Sequence, residues 1–453
     1  MQKQIAFKLL AIFIVGLMVL IPIGMVEYKV YERQSFMDDA RASVAQSWTG
    51  KQSILTPIIV LPYVVKPLGP SAFVTATGAP VENAKEQVLY AIVPPDELVT
   101  NAVVNNKTIY KGIYEVPVYD SQIKITGLFS KRSVSERLSQ IQQIAHFHRF
   151  GQPYLATHIS DVRSIDAVPT ISINGENVFV GPGSRISGLE EGVHTQLSLE
   201  KLQSSDVQFD FSVALRGMGS LAFIPVADSA ITNVQSNWPH PEFVGVSLPK
   251  ERQVTAKGFT AAWASSRYSS SGVEVVERCI ATKRCSDLTA HSSGVNFIQP
   301  VDIYLQSQRS IKYALLFIGL IFTSFFIFET MTPYKIHPIQ YAFVGLAISV
   351  FYLLLISLAE HIAFAWAYFI GVLSCTGLLL FYVRYLFRSA KYALVFCAML
   401  AGLFGLLYMI VQAEDFALLM GAVLVFAVLA ILMAVTRNID WYGVAGQEQL
   451  KKA

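Results

Sequence analysis

IAFKLLAIFIVGLMVLIPIGMV, residues 5–26, is the stretch that decides the fold. It carries one charge, Lys8, in a run long enough to cross the hydrocarbon, which takes about 20 helical residues. Lys3 and Lys8 at its start also suit a secretory signal. Its end, Ile21-Pro22-Ile23-Gly24-Met25-Val26, lacks the small-residue pattern of a cleavage site. The run therefore reads as an uncleaved anchor, residues 1–26.

Five further apolar runs lie at 311–329, 339–359, 362–382, 392–412 and 416–435. They predict a bundle of five transmembrane helices over 311–436, with a tail at 437–453. Composition agrees: 53% of residues are hydrophobic and 15% charged, against about 25% charged in soluble domains. A net charge of +3, mixed in sign, argues against nucleic acid, and four cysteines are too few for a disulfide scaffold. The lipid bilayer is the expected partner, and no pattern points to a cofactor.

Charge then sets orientation. Lys335 lies in one short loop, Arg384, Arg388 and Lys391 around another, and Arg437, Lys451 and Lys452 after the last run. The alternate loops hold Glu360-His361 and Glu414-Asp415, without Lys or Arg. Positive loops stay cytoplasmic. Both termini are thus expected inside and residues 27–310 outside.

Residues 27–310 have the composition of a soluble domain. Val30, Met37, Ala40, Val44 and Trp48 form a helical stripe that continues the first helix beyond the membrane. Strands are expected at Ile58–Val65, Gln87–Val93, Thr108–Val118, Gln122–Phe129, 194–200, 206–216, 219–225 and 254–264. Asn174-Gly175 between Ile171–Ile173 and Asn177–Val180 suits a hairpin. Ser133 and Glu136 suggest a capping box for one helix, running to His148. The expected fold is a β-rich, sandwich-like domain with minor helices.

Catalytic patterns are sparse. No H-E-x-x-H or G-x-S-x-G occurs, and Gly50-Lys51 imitates only the end of a P-loop. On a helix, His146 and His148 would point about 200° apart and could not share an ion. Glu329, His337, Glu360, His361 and Arg437 all fall at expected helix ends. They read as interfacial anchors, with a Glu329–Arg437 pair, or an ion pathway, as alternatives. Five residues separate Cys279 from Cys285, in a segment placed in an oxidising compartment, so a disulfide could close that loop. Cys375 and Cys397 fall in apolar runs and should stay reduced.

The most distinctive soluble motif is Ser236-Asn237-Trp238-Pro239-His240-Pro241-Glu242-Phe243. Its prolines fix the backbone around His240, and Trp238 and Phe243 offer large apolar faces. It reads as a rigid turn plugging the core, or as an aromatic surface for a partner; a catalytic His240 has no acid or nucleophile close in sequence. With Gly258-Phe259, Ala262-Trp263, Phe328-Glu329, His337-Pro338-Ile339-Gln340-Tyr341, Glu360-His361 and Thr436-Arg437-Asn438-Ile439-Asp440-Trp441-Tyr442, this motif resembles the CreD family of bacterial inner-membrane proteins along nearly the whole chain. Thr56-Pro57, where the family suggests Gly-Pro, and the segment around Cys279 and Cys285 depart from it. The resemblance implies a Gram-negative inner-membrane protein linked to cell envelope integrity and a stress response, and implies no defined reaction. The expectation is a non-catalytic envelope protein whose periplasmic domain contacts other envelope components. The alternative is a transporter or lipid-handling protein that uses the C-terminal bundle. A periplasmic hydrolase is the third reading.

Overall fold

The computed structural model describes residues 2–66, 86–299, 303–331, 336–386, 389–412 and 417–437. Expectations resting on Lys335, Arg388, Glu414-Asp415, Trp441-Tyr442 and Lys451-Lys452 lie outside these residues. The chain divides into two compact units, Met1–Asp39 with Val301–Ala453, and Ala40–Pro300.

The helical unit starts with α1 (Gln2–Trp48), one unbroken helix whose last turns belong to the other unit. Val19, Ile23, Val26 and Val30 are buried at spacings of four and three, which is one helix face. α5 (Ile303–Lys312), α6 (Ala314–Met331), α7 (Pro338–Ala359), α8 (Phe364–Leu386), α9 (Ala390–Gln412) and α10 (Ala417–Thr436) follow. Among the described residues four helices are long and apolar enough to cross a membrane. A fifth span results if α5 and Ala314–Phe326, bent by 44° at their break, count as one. Phe317, Phe351 and Phe404 interlock with Tyr368 in the interior, with ring centroids 4.7–5.5 Å apart.

In chain order the other unit contains β1 (Gln52–Leu55), β2 (Ile58–Val65), β3 (Gln87–Val93), β4 (Glu97–Lys111), β5 (Tyr114–Phe129), α2 (Lys131–Gln142), β6 (Phe147–Phe150), β7 (Tyr154–Thr157), β8 (Thr170–Ile173), β9 (Glu176–Val178), β10 (Gly181–Pro182), β11 (Val193–Gln196) and α3 (Leu199–Ser204). It continues with β12 (Val207–Gly217), β13 (Ser220–Ile224), β14 (Ser229–Ser236), β15 (Pro241–Gly245), β16 (Glu251–Thr255), β17 (Gly258–Ser266), α4 (Gly272–Thr282) and β18 (Ser293–Phe297). Among the described residues three sheets form, where the sequence suggests a sandwich-like domain. The largest runs β16-β17-β14-β4-β5-β12-β8-β9; a second runs β10-β11-β7-β2-β3 with β6 also on β2; the third is β1-β13-β18-β15. The β14–β4 and β1–β13 pairs are parallel, so hairpin reasoning from adjacent strands does not reach them.

β2 explains the middle sheet. Ile59 and Leu61 enter the main core, while Ile58 and Val60 enter a second cluster with Val273, Val276 and Cys279 of α4. Both faces are covered, hence an unbroken apolar run. Pro62 has no N–H to give, and it sits between the β7 pairing at Ile58–Val60 and the β6 pairing at Tyr63–Val65.

Several local expectations are corrected. Thr108–Val118 is no single strand: Gly112, at φ +63°, turns β4 into β5, and β-branched residues on both arms hide the turn from periodicity. The segment 194–200 ends as a strand at Gln196, and Ser198 caps α3. The segment 254–264 is the β16–β17 hairpin. The capping serine of α2 is Ser130, three residues earlier than expected, because Asp96 accepts from its N–H at 2.6 Å and from its hydroxyl at 3.0 Å. α2 ends at Gln142, His146 is left-handed at φ +67°, and His148 lies in β6. The helical argument separating the two histidines therefore does not apply.

Candidate functional sites

The helical unit carries a polar cluster near each end of α7. At its start, Glu329 of α6 is 9% exposed and pairs with Lys8 of α1. Ile336 donates its N–H to Glu329 Oε1 at 2.9 Å, and the Tyr341 hydroxyl donates to Oε2 at 3.0 Å. A carboxylate removed from water needs such compensation. Lys8 thus pairs with Glu329, where the alternative reading places Arg437, and Arg437 is exposed. By sequence Lys8 reads as the flank of a signal, although a charge inside an apolar run also points to a buried partner.

At the other end of α7, Glu360 caps the helix, its N–H donating to Ile356 O. Arg33 Nε lies 3.5 Å from Glu360 Oε1, and Tyr304 donates its hydroxyl to the same oxygen at 3.2 Å. The amides of Gln308 and Gln34 are bonded as well. No sequence pattern singles out Tyr304, and Tyr341 enters only as the last residue of the His337–Tyr341 motif. His337 acts locally. Its Nδ1 accepts from Ile339 N–H at 3.3 Å, while Gln340 Oε1 accepts from His337 N–H at 2.9 Å. That reciprocal pair fixes the start of α7, with Pro338 in its first turn. His361 is exposed.

In the β-rich unit, Ser236–Phe243 is the crossing from β14 in the largest sheet to β15 in the smallest. Asn106 and Asn237 bond each other across it, Asn106 N–H to Oδ1 at 2.7 Å and Asn237 Nδ2 to Asn106 O at 3.1 Å. Gly258 lies against the same corner at φ +136°; a Cβ there would stand 2.1 Å from Ser236 O. Trp238 is half-buried and donates Nε1–H to Ile298 O at 2.9 Å. Phe243 meets Phe259 and Trp263 edge-on at 5.6 and 5.7 Å. Both aromatics pack against the main core, Pro239 and Pro241 are half-buried, and His240 is exposed.

Cys279 and Cys285 are disulfide-bonded, with Cα atoms 4.7 Å apart. Lys283 turns the chain between them at φ +57°, its N–H donating to Cys279 O. Cys375 and Cys397 are buried free thiols. Elsewhere in the unit, burial pulls His158 below the usual histidine range. Its Nδ1 lies 2.8 Å from Glu191 O, which can only accept, so Nδ1 carries the proton. Hydrogen bonding from Arg163 holds Asp161 below the usual carboxylate range. Among the described residues no group of three or more His, Cys, Asp or Glu is placed to hold a metal ion.

Comparison with known proteins matches residues 4–442 to the family model described as "Inner membrane protein CreD". Inner membrane protein CreD of Escherichia coli (strain K12) is 29% identical over 446 residues, which covers 98% of this chain and 95% of that protein.

Proposed function

Since the chain belongs to the CreD family of inner membrane proteins, we propose that it supports the cell envelope by contact rather than by catalysis, presenting its β-rich unit on the periplasmic side. In this reading six spans cross the membrane, with both termini cytoplasmic. The main support is the course of α1, one helix from the apolar run to Trp48. In sequence, an apolar helix also follows the β-rich unit at its other end. A domain tethered at both ends suits contact with neighbouring envelope components. Val246 and Leu248, 57% and 63% exposed just after β15, supply apolar surface past the end of that strand.

Alkaline phosphatase fused after Gly175 or Glu414 should be active, and fused after Lys335 or Arg388 inactive; activity at Arg388 would overturn the orientation. A photo-crosslinker at Leu248 in living cells should yield a discrete adduct with a periplasmic or outer-envelope component. Finding none across growth and envelope-stress conditions would count against the contact reading.

One observation favours a transport or lipid-handling reading. Gln306 Oε1 and Ser310 Oγ, on the first arm of the bent α5–α6 pair, are buried without a hydrogen-bond partner. Broken helices with free polar groups line transport sites. Modification of Ser310→Cys by a membrane-impermeant thiol reagent would favour that reading, and protection would favour contact.

A further inference from the structure

We propose that a trough on the open face of the largest sheet, floored by β17 and walled by β14 and β16, binds an uncharged glycan chain. Such a chain would be the envelope component that the contact reading calls for, and its meaning in the cell rests on that reading. The trough lies wholly within the β-rich unit, so its geometry is independent of the apolar helices.

Register sets two rows of side chains on one face. Asn101 pairs with Asn233, Asn233 with Ala262, and Ala262 with Glu251. Two residues along, the same strands align Val103, Gln235, Thr260 and Gln253. Side chains two apart on a strand share a face, which puts the rows about 7 Å apart. The alternate residues Ala102, Val234 and Ala261 are buried beneath. β17 therefore contributes a methyl and a short hydroxyl between longer side chains on β14 and β16. Those walls stand two strand spacings, about 10 Å, apart. The result is a hollow of about 430 Å³ around both rows. A second, of about 220 Å³, shares Gln235, Gln253 and Thr260 with it and ends at the β16–β17 turn.

The open polar groups here are mostly amides. Asn233 Nδ2 donates to Asn101 Oδ1 at 3.0 Å, which leaves the Asn233 oxygen to accept and the Asn101 nitrogen to donate. Among the described residues the Gln235 and Gln253 amides, the Thr260 hydroxyl and the Glu251 carboxylate have no hydrogen-bond or ion-pair partner. Elsewhere on this face long side chains satisfy one another. Lys124 of β5 meets Asp210 of β12 at 2.7 Å, and Lys107 of β4 meets Asp120 of β5 at 2.6 Å.

That chemistry selects the occupant. A sugar hydroxyl both donates and accepts, and a primary amide offers both from one side chain. Amides in two rows about one ring apart therefore match successive sugar units. Val103 and Ile231, each 46% exposed on the same face, offer apolar surface for the C–H side of a ring. The larger hollow falls within the usual size of small-ligand sites, about 300–1,000 Å³. Charge disfavours an anionic occupant: Glu251 and Arg252 are adjacent and opposite in sign, and Lys257 stands apart at the turn. A peptide strand would instead pair with backbone at the sheet edge and leave the amides on the face unused.

The test uses the full chain in phosphatidylcholine nanodiscs, free of glycoside detergent. It is titrated calorimetrically with chitotetraose, which carries acetamido groups, and with cellotetraose, which does not. At least one tetramer should bind. Gln235→Ala/Gln253→Ala should weaken that binding about tenfold, the loss expected of a few neutral hydrogen bonds. Ala262→Trp, which fills the floor, should abolish it. Thermal melting shows that each variant folds. If Ala262→Trp does not, the double variant decides, since it shortens only exposed side chains. No binding of either tetramer by the parent overturns the proposal. So does binding that the folded variants keep at full strength, or a preference for dextran sulfate over both tetramers. The fusion and crosslinking experiments above test the contact reading without using the trough, so failure of one is distinguishable from failure of the other.

Discussion

Lys8 and Arg33 lie on one helix, α1, and each ends on a carboxylate at an opposite end of α7, Lys8 on Glu329 and Arg33 on Glu360. Twenty-five residues of helix separate them, about 37 Å. That exceeds the hydrocarbon thickness of about 30 Å and stays within the full bilayer of about 40–45 Å. The two pairs tie α1 to both ends of α7 and so fix the register of one helix against the other.

Removing one partner of the Lys8–Glu329 pair leaves a charge in poor company. Glu329→Gln should lower the stability of the chain in detergent by about 2 kcal/mol, less than for a fully buried pair because Lys8 is 26% exposed. The double variant Lys8→Met/Glu329→Leu should recover much of that loss. Thermal melting followed by helical circular dichroism checks both, and equal loss in single and double variants would show that the pair is not the unit that matters.

The β-rich unit should weaken in mild acid through His158. Burial lowers its folded pKa below the unfolded value, which is about 6.5. The unfolded chain then takes up a proton first, so stability present above about 6.5 is lost as pH falls toward the folded pKa. Asp161, held low by Arg163, adds a loss only further down, as pH falls below its unfolded value of about 3.9. Tm measured between neutral and mildly acidic pH should fall, and His158→Gln should flatten that part of the curve. An unchanged slope in the variant would assign the pH dependence elsewhere.

The Cys279–Cys285 bridge closes a short loop. Alkylation without reductant, read by mass spectrometry, should leave both cysteines unmodified in folded protein, and denaturation should expose only Cys375 and Cys397. Loop-closure reasoning for so small a ring gives about 2 kcal/mol of stabilisation. Cys279→Ser/Cys285→Ser should lose about that much, felt first in α4, whose Val273, Val276 and Cys279 cover one face of β2.

What is legible in the sequence follows local chemistry. Ile58–Val65 and Gln87–Val93 stand as strands over those residues because dense β-branched runs end at clear breaks. Asn174 and Gly175 take φ +50° and +84°, as a tight hairpin turn asks. β14 escapes a reading by periodicity because Asn, Gln and Ser dilute its alternation of Ala230, Thr232 and Val234. Its sheet place beside β4, in parallel, depends on contacts far apart in the chain. The same distance hides the polar clusters: Lys8 and Glu329 are 321 positions apart, and no local pattern announces such a pair. Glu329 and Glu360 are visible as candidates only because acids are rare there.

The Ser236–Phe243 corner separates structure from chemistry in one experiment. Trp238 ties the corner to Ile298 O and to the core, and Gly258 leaves room for Ser236 and Asn237. Trp238→Ala should therefore cost about 2–3 kcal/mol, below the range for a fully buried aromatic because Trp238 is only half-buried. Gly258→Ala should cost at least as much, since its Cβ would meet backbone atoms that cannot step aside. Both should impair envelope phenotypes in step with reduced abundance. His240 is exposed beside them, and His240→Ala should leave stability, abundance and phenotype near those of the parent. Phenotypes scored alongside protein level and protease resistance decide the matter. If His240→Ala abolishes function in a folded, abundant protein, a ligand-binding or catalytic histidine replaces the contact reading. If Trp238→Ala abolishes it without loss of stability, the indole is itself the contact.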